Sequence, residues 1–201
     1  MTKTTDTNKT NKVIASKMTY DMKHSILTTT IALALASSSY GLTVSPSASI
    51  LDAGRITFQY NGHNGVISPD SGLAYGLGIS TSLTDKLDLG AEVQYLDIGL
   101  KSVTVGGQPK NWGSSAQGYY VGAKASYWLA RIGGVDIRGT AGFGYQEVLG
   151  GAIAYSYGLE AKKNAVSLTV ERRHIGDTTY DGLRMRSEPS TFIGFKLNKS
   201  F

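Results

Sequence analysis

From Arg55 to the end of the chain, apolar residues recur at every second position, and no stretch keeps the 3.6-residue period of an amphipathic helix. The alternation falls into eight runs. Their apolar members span Ile56–Tyr60, Leu73–Leu83, Leu87–Tyr95, Tyr119–Leu129, Val135–Tyr145, Ile153–Leu159, Val166–Val170 and Ile193–Phe201. The connections differ in length. Thr84-Asp85-Lys86, residues 131–134 and residues 161–164 read as short turns, whereas 61–71, 97–117 and 175–189 read as longer polar loops. The fifth connection, around Leu149-Gly150-Gly151, is short on the long-loop side. Short turns at one end and long loops at the other predict an up-and-down antiparallel meander.

The positions between the apolar ones decide which solvent the apolar face meets. They include Gly72, Ala74, Gly76, Gly78, Ser80 and Ser82 on the second run, and Gly118, Gly122 and Ser126 on the fourth. A water-exposed face has no need of such small residues, whereas the bore of a narrow eight-stranded barrel does. The charges of that face balance: Arg55, Lys124, Arg138, Arg173 and Lys196 against Asp88, Glu92, Asp136, Glu160 and Glu171. Balance suits a closed interior, where an unpaired charge is costly. Tyr60, Tyr75, Tyr95, Tyr119, Tyr145 and Tyr155 share the apolar face at the long-loop ends of their runs, the pattern of an interfacial girdle. The expected fold is all-β: an eight-stranded antiparallel up-and-down transmembrane β-barrel over residues 55–201, preceded by a short N-terminal segment over 37–54.

Residues 1–36 read as an N-terminal extension and secretory signal peptide. Met22-Lys23-His24 is basic, Ile26 to Ala36 is apolar, and Ala34-Leu35-Ala36 offers a small-x-small cleavage site before Ser37. That run is too short to span a bilayer as a helix. The leader also explains most of the net charge of +5: it holds five Lys and two Asp, leaving 15 basic and 13 acidic residues in the remainder. No basic stripe is left to follow a phosphate backbone, so nucleic acid is not an expected partner. The absence of cysteine removes disulfides and thiolate metal sites.

A leader, eight alternating strands and the terminal "FIGFKLNKSF" resemble the small outer-membrane β-barrels of Gram-negative bacteria, such as the OmpA transmembrane domain, OmpX and the opacity proteins. The resemblance covers about residues 55–201. It implies residence in the outer membrane, contact with its lipid and lipopolysaccharide, and recognition of the C-terminal Phe201 by the barrel-assembly machinery. Lys199 stands where that family carries a hydrophobic residue.

Candidate chemistry is sparse. The lipid A deacylases of the PagL family carry a His-x-Ser-Asn motif late in such a barrel; here His174-Ile175-Gly176-Asp177 lies at a comparable place. Gly176 stands where the nucleophilic serine belongs, and an acyl-enzyme needs a nucleophile. His24 and His63 form no metal cluster, and the glycine patterns run on as strands rather than opening a helix over a phosphate. No cofactor is expected. Arg172, Arg184 and Arg186, beside Arg173, could hold lipopolysaccharide phosphates through charge-assisted bonds. An eight-stranded bore filled by ten charges leaves no open channel. The expected function is therefore non-enzymatic: envelope stabilisation, or surface interaction with an unknown ligand through the extracellular loops. A lipid A-modifying enzyme or a narrow solute pore is the alternative.

Overall fold

Alternating side chains and tight turns give each strand only its chain neighbours to pair with, and the ladder closes on itself in the computed structural model. The structure describes residues 41–60, 62–148, 151–180 and 183–201. The expected leader, its cleavage site and His24 lie outside the described residues. The strands are β1 (Leu42–Asp52), β2 (Ile56–Tyr60), β3 (His63–Ser82), β4 (Leu87–Val105), β5 (Gln108–Ile132), β6 (Val135–Glu147), β7 (Ala152–Lys163), β8 (Val166–Ile175), β9 (Thr178–Tyr180), β10 (Leu183–Ser187), β11 (Ser190–Leu197) and β12 (Lys199–Ser200). They form eight antiparallel staves. β1 resumes as β2 after a break at Ala53-Gly54-Arg55, β8 as β9, and β10, β11 and β12 follow one line. β1 pairs with β11 on one side and β3 on the other, which closes the barrel.

Register fixes its dimensions. Partners followed sideways from Leu87 run through Tyr127, Gly139, Leu159, Val170, Ile193, Ile50 and Leu73, and return to β4 at Asp97. The path therefore comes back ten residues further along β4. With the usual strand spacings this offset gives a tilt of about 40° and a backbone radius of about 8 Å, a bore that side chains fill.

The outward positions are apolar around the ring, with Leu77, Val93, Leu159, Leu168, Ile193 and Phe195 all exposed. Tyr75, Tyr95 and Tyr119 are direct register neighbours. Given the tilt, Tyr145 and Tyr155 sit within about 3 Å of the same height, so the girdle forms. Between it and Leu83 and Phe201 at the short-turn end, the apolar band is about 25 Å tall, matching a membrane-spanning barrel.

Three expectations are corrected. The barrel starts at Leu42, not Arg55: residues 42–52 of the supposed N-terminal segment form the closing strand, while Ile56–Tyr60 lies above the girdle. Tyr60, paired with His63 at the far tip of β3, is consequently outside the girdle. The stretches 61–71, 97–117 and 175–189 are mostly strand rather than loop. β4 and β5 continue to a two-residue turn at Gly106-Gly107, both at positive φ (57° and 82°), the geometry that closes a tight hairpin and that glycine adopts without strain. Register shifts at Ser68–Gly72 and at Leu100–Ser102 mark bulges in these extensions.

Candidate functional site in the barrel lumen

The inward face is built around one large ring. Tyr120 follows the outward Tyr119 and so points into the bore, where it is fully buried. A side chain at Gly122 or Gly144 would collide with it, so these two glycines create the space the ring occupies. Across the ring lies Arg173, also fully buried, with its guanidinium carbon 3.8 Å from the Tyr120 ring centre and 4.2 Å from that of Phe192. Stacking between two aromatic faces suits the flat, weakly hydrated guanidinium better than it would an ammonium.

Arg173 is satisfied in its own plane. Nε and Nη2 donate to Glu171 Oε1 at 3.1 and 2.6 Å, Nη2 also to Gln94 Oε1 at 2.9 Å, and Nη1 to Gln146 Oε1 at 3.3 Å. Glu171 accepts from Lys124 through its other oxygen, and Lys124 lies 3.6 Å from Glu92. Glu92 is in turn 3.8 Å from Arg173. Two cations and two carboxylates thus interlock in the upper half of the apolar band, from the girdle level of Arg173 down to Lys124, each with more than one opposite neighbour. Removing any one would leave a buried charge uncompensated.

Above this layer the bore turns apolar. Leu51, Ala74, Leu96, Ile98, Tyr120, Ala154 and Phe192 form one buried cluster, and Ile67, Leu100, Val103 and Ala116 continue it between the extended strands. Below it the bore is polar and holds a cavity of about 180 Å³ that reaches Thr43, Ser82 and Ser200 at the short-turn mouth. Arg138 pairs with Asp88, which also accepts from Ser82 Oγ at 2.7 Å. A chain of bonds runs from Ser45 through Asn198 and Ser167 to Glu160, at 2.8, 2.8 and 2.6 Å.

Nine of the ten expected lumen charges keep inward parity, and Arg55 does not. It stands exposed in the break between β1 and β2, where the loss of strand geometry frees its side chain from the alternation. Asp136 lies at the mouth and is held by Arg131 at 2.8 Å and Trp128 Nε1 at 3.3 Å, outside the inner network. Asp88, Glu92, Lys124, Arg138, Glu160, Glu171 and Arg173 come together in the bore; Lys196 lines the cavity without an ion-pair partner among the described residues. The sequence reading missed Tyr120, Gln94, Gln146 and Lys162, all inward by the same parity rule but neither small nor part of a balanced pair.

On the outer face, His174 stacks on Tyr155 with centroids 4.8 Å apart and also contacts Tyr157 at 5.7 Å. Arg172 is outward and exposed near the girdle. Arg184 and Arg186 flank the inward Met185 and are exposed, with Arg184 bonded to Asp177 at 2.8 Å. Phe201 is exposed, its N–H bonded to Leu42 O at 2.9 Å and Lys199 5.1 Å over its ring.

No family model and no curated protein matches the sequence. Solved structures do match the fold. Neisserial surface protein A superposes with a TM-score of 0.52 at 11% identity, over 80% of this chain and 97% of that one. The outer membrane protein OprG from Pseudomonas aeruginosa gives 0.50 at 12% identity, over 79% and 96%. At such identities the likeness is one of fold alone. The chain has the fold of the small bacterial outer-membrane barrels, and its apolar exterior is that of a protein resident in that membrane.

Proposed function

We propose that this protein is a non-enzymatic barrel that acts through the sheet it raises above the girdle. One observation carries this reading. β3, β4 and β5 run on for about ten residues beyond Tyr75, Tyr95 and Tyr119, which makes each strand about twice as long as the ~10 residues a membrane strand requires. Beneath that sheet the bore is filled by the Arg173 layer and the apolar cluster, which favours a surface role over solute passage. His174 packs against tyrosine rings and Gly176 supplies no nucleophile, which disfavours the deacylase reading.

Two partners follow from the outer face. Arg172 and Arg186 are exposed cations at and above the girdle, suited to the phosphates of lipopolysaccharide, while Arg184 is already engaged by Asp177. The outward alternation ending at Phe201 suits recognition by the barrel-assembly machinery.

The test replaces the hairpin beyond the Ile98–Ala116 pair with a two-residue turn and expresses both forms in a Gram-negative host. The shortened barrel should still insert and shift its gel mobility on boiling, while cell attachment to host or abiotic surfaces drops. Unchanged attachment, or fatty-acid release from lipid A by the purified protein, would remove the proposal.

A further inference from the structure

The corrected lumen charges no longer cancel. With Arg55 outside and Asp136 held by Arg131, the cations facing the bore are Lys124, Arg138, Lys162, Arg173 and Lys196. Against them stand Asp88, Glu92, Glu160 and Glu171. Arg138 is matched by Asp88, and the pair Lys124 and Arg173 by Glu92 and Glu171. Glu160 alone remains to offset both Lys162 and Lys196. One positive charge is left over inside a low-dielectric wall, an arrangement that demands a counter-ion.

The place for it is the cavity of about 180 Å³ in the lower bore, lined by both lysines. Three buried side-chain atoms around it have no hydrogen-bond partner among the described residues: the donors Arg138 Nε–H and the Ser126 hydroxyl, and Glu92 Oε1, an acceptor turned toward Arg173 3.8 Å away. Lys196 likewise donates to nothing described. Unused N–H and O–H groups beside surplus positive charge select an acceptor. The cavity reaches the short-turn mouth, so an occupant can enter from solution on that side.

We propose that this vestibule binds one small monovalent anion of the carboxylate class. Lys196 supplies the charge, and Arg138 and Ser126 supply directed hydrogen bonds. A carboxylate has two acceptor oxygens and no donor, which matches the unused donors of Arg138, Ser126 and Lys196, while Glu92 Oε1 stays turned toward Arg173. A divalent anion would overshoot the single surplus charge and meet Glu160 and Glu92 on the opposite walls.

The experiment folds the isotope-labelled protein in zwitterionic micelles and titrates it with sodium acetate, following backbone amide shifts on β5 and β11. The wild type should show saturable, one-to-one shifts around Lys124, Ser126 and Lys196. Lys163→Met, a control at the exposed end of β7, should bind alike. Lys196→Met removes the surplus and should weaken binding at least tenfold. Glu160→Gln raises the surplus and should tighten it several-fold, a gain that misfolding cannot mimic if Lys196→Met proves unable to fold. Linear, unsaturable shifts in the wild type would overturn the proposal. So would equal affinity in Lys196→Met, or no tightening in Glu160→Gln.

Discussion

β4 obeys two opposite rules along its length. From Leu87 to Tyr95 its outward residues are Leu87, Leu89, Ala91, Val93 and Tyr95, while Asp88, Gly90, Glu92 and Gln94 point into the bore. Beyond Tyr95 the sense inverts. Leu96, Ile98 and Leu100 turn inward and are buried, and Asp97 and Lys101 lie on the outer side. β3 and β5 change at the same height, with Ala74 and Ala116 inward above the outward Tyr75 and Tyr119. The backbone is continuous through the change, so the surrounding solvent, not strand geometry, dictates which parity is apolar. Lipid below the girdle rewards an apolar exterior; water above it rewards an apolar interior. The inversion marks the membrane boundary to within a residue.

The largest effect should come from breaking the lower rule at its most interlocked point. Glu171→Leu leaves Lys124 and Arg173 without their shared carboxylate and should cost roughly 3–5 kcal/mol, read from denaturant unfolding in phosphocholine vesicles. A loss under about 1 kcal/mol would mean that water, not Glu171, solvates these cations.

A second comparison places the same substitution on the same face of the same strand. Leu89→Arg, outward in the band, should cost roughly 2–4 kcal/mol, whereas Thr104→Arg, beyond the inversion, should stay within about 0.5 kcal/mol. Equal costs would erase the boundary. Because the chain has no cysteine, single labels at 89, 91 and 93 can sharpen it further: a lipid-soluble quencher should reach these and miss 97 and 101.

Above the girdle the effects should be smaller and local. Leu100→Ala should cost about 2 kcal/mol, near the low end for a buried leucine, because its cluster is small. Hydrogen exchange should quicken for amides between 96 and 117 while those of the membrane band stay protected. The smallest effect is expected at the hairpin tip. Gly106→Ala forces a side chain into left-handed geometry and should cost about 1 kcal/mol, visible as earlier melting of the extension alone.

The membrane band was legible in the sequence because lipid imposes a strict alternation, and one face of it was unusually rich in glycine. The strands that do not stand out in the sequence break this alternation for physical reasons. β1 reads "LTVSPSASILD": its outward members include Pro46 and Ala48, weakly apolar, and proline argues against a strand paired on both edges. The extensions of β3, β4 and β5 read as loops in the sequence because the apolar parity reverses there and the bulges then shift it again, leaving Ile67 and Val103 on odd numbers where Ala74 and Ile98 are even. The turn signal Gly106-Gly107 was present and pointed to a hairpin. In the lumen, parity alone placed nearly every charge, but it could not tell which carboxylate answers which cation. That requires the order of strands around the ring and the height of each residue within it.

The ten-residue offset with which the ladder closes limits what the bore can become. A slip of one residue between neighbouring strands would exchange the lipid and lumen faces of a whole stave, so the offset can change only in steps of two. The next wider setting would enlarge the backbone radius from about 8 to about 9 Å, and it would require an entire ladder of hydrogen bonds to break and re-form. The diameter is thus quantised, and thermal motion cannot dilate it gradually. Whatever enters the lower vestibule meets a wall of fixed calibre, and passage beyond Arg173 would have to be won by side chains swinging aside, rotamer by rotamer, within a cylinder that does not yield.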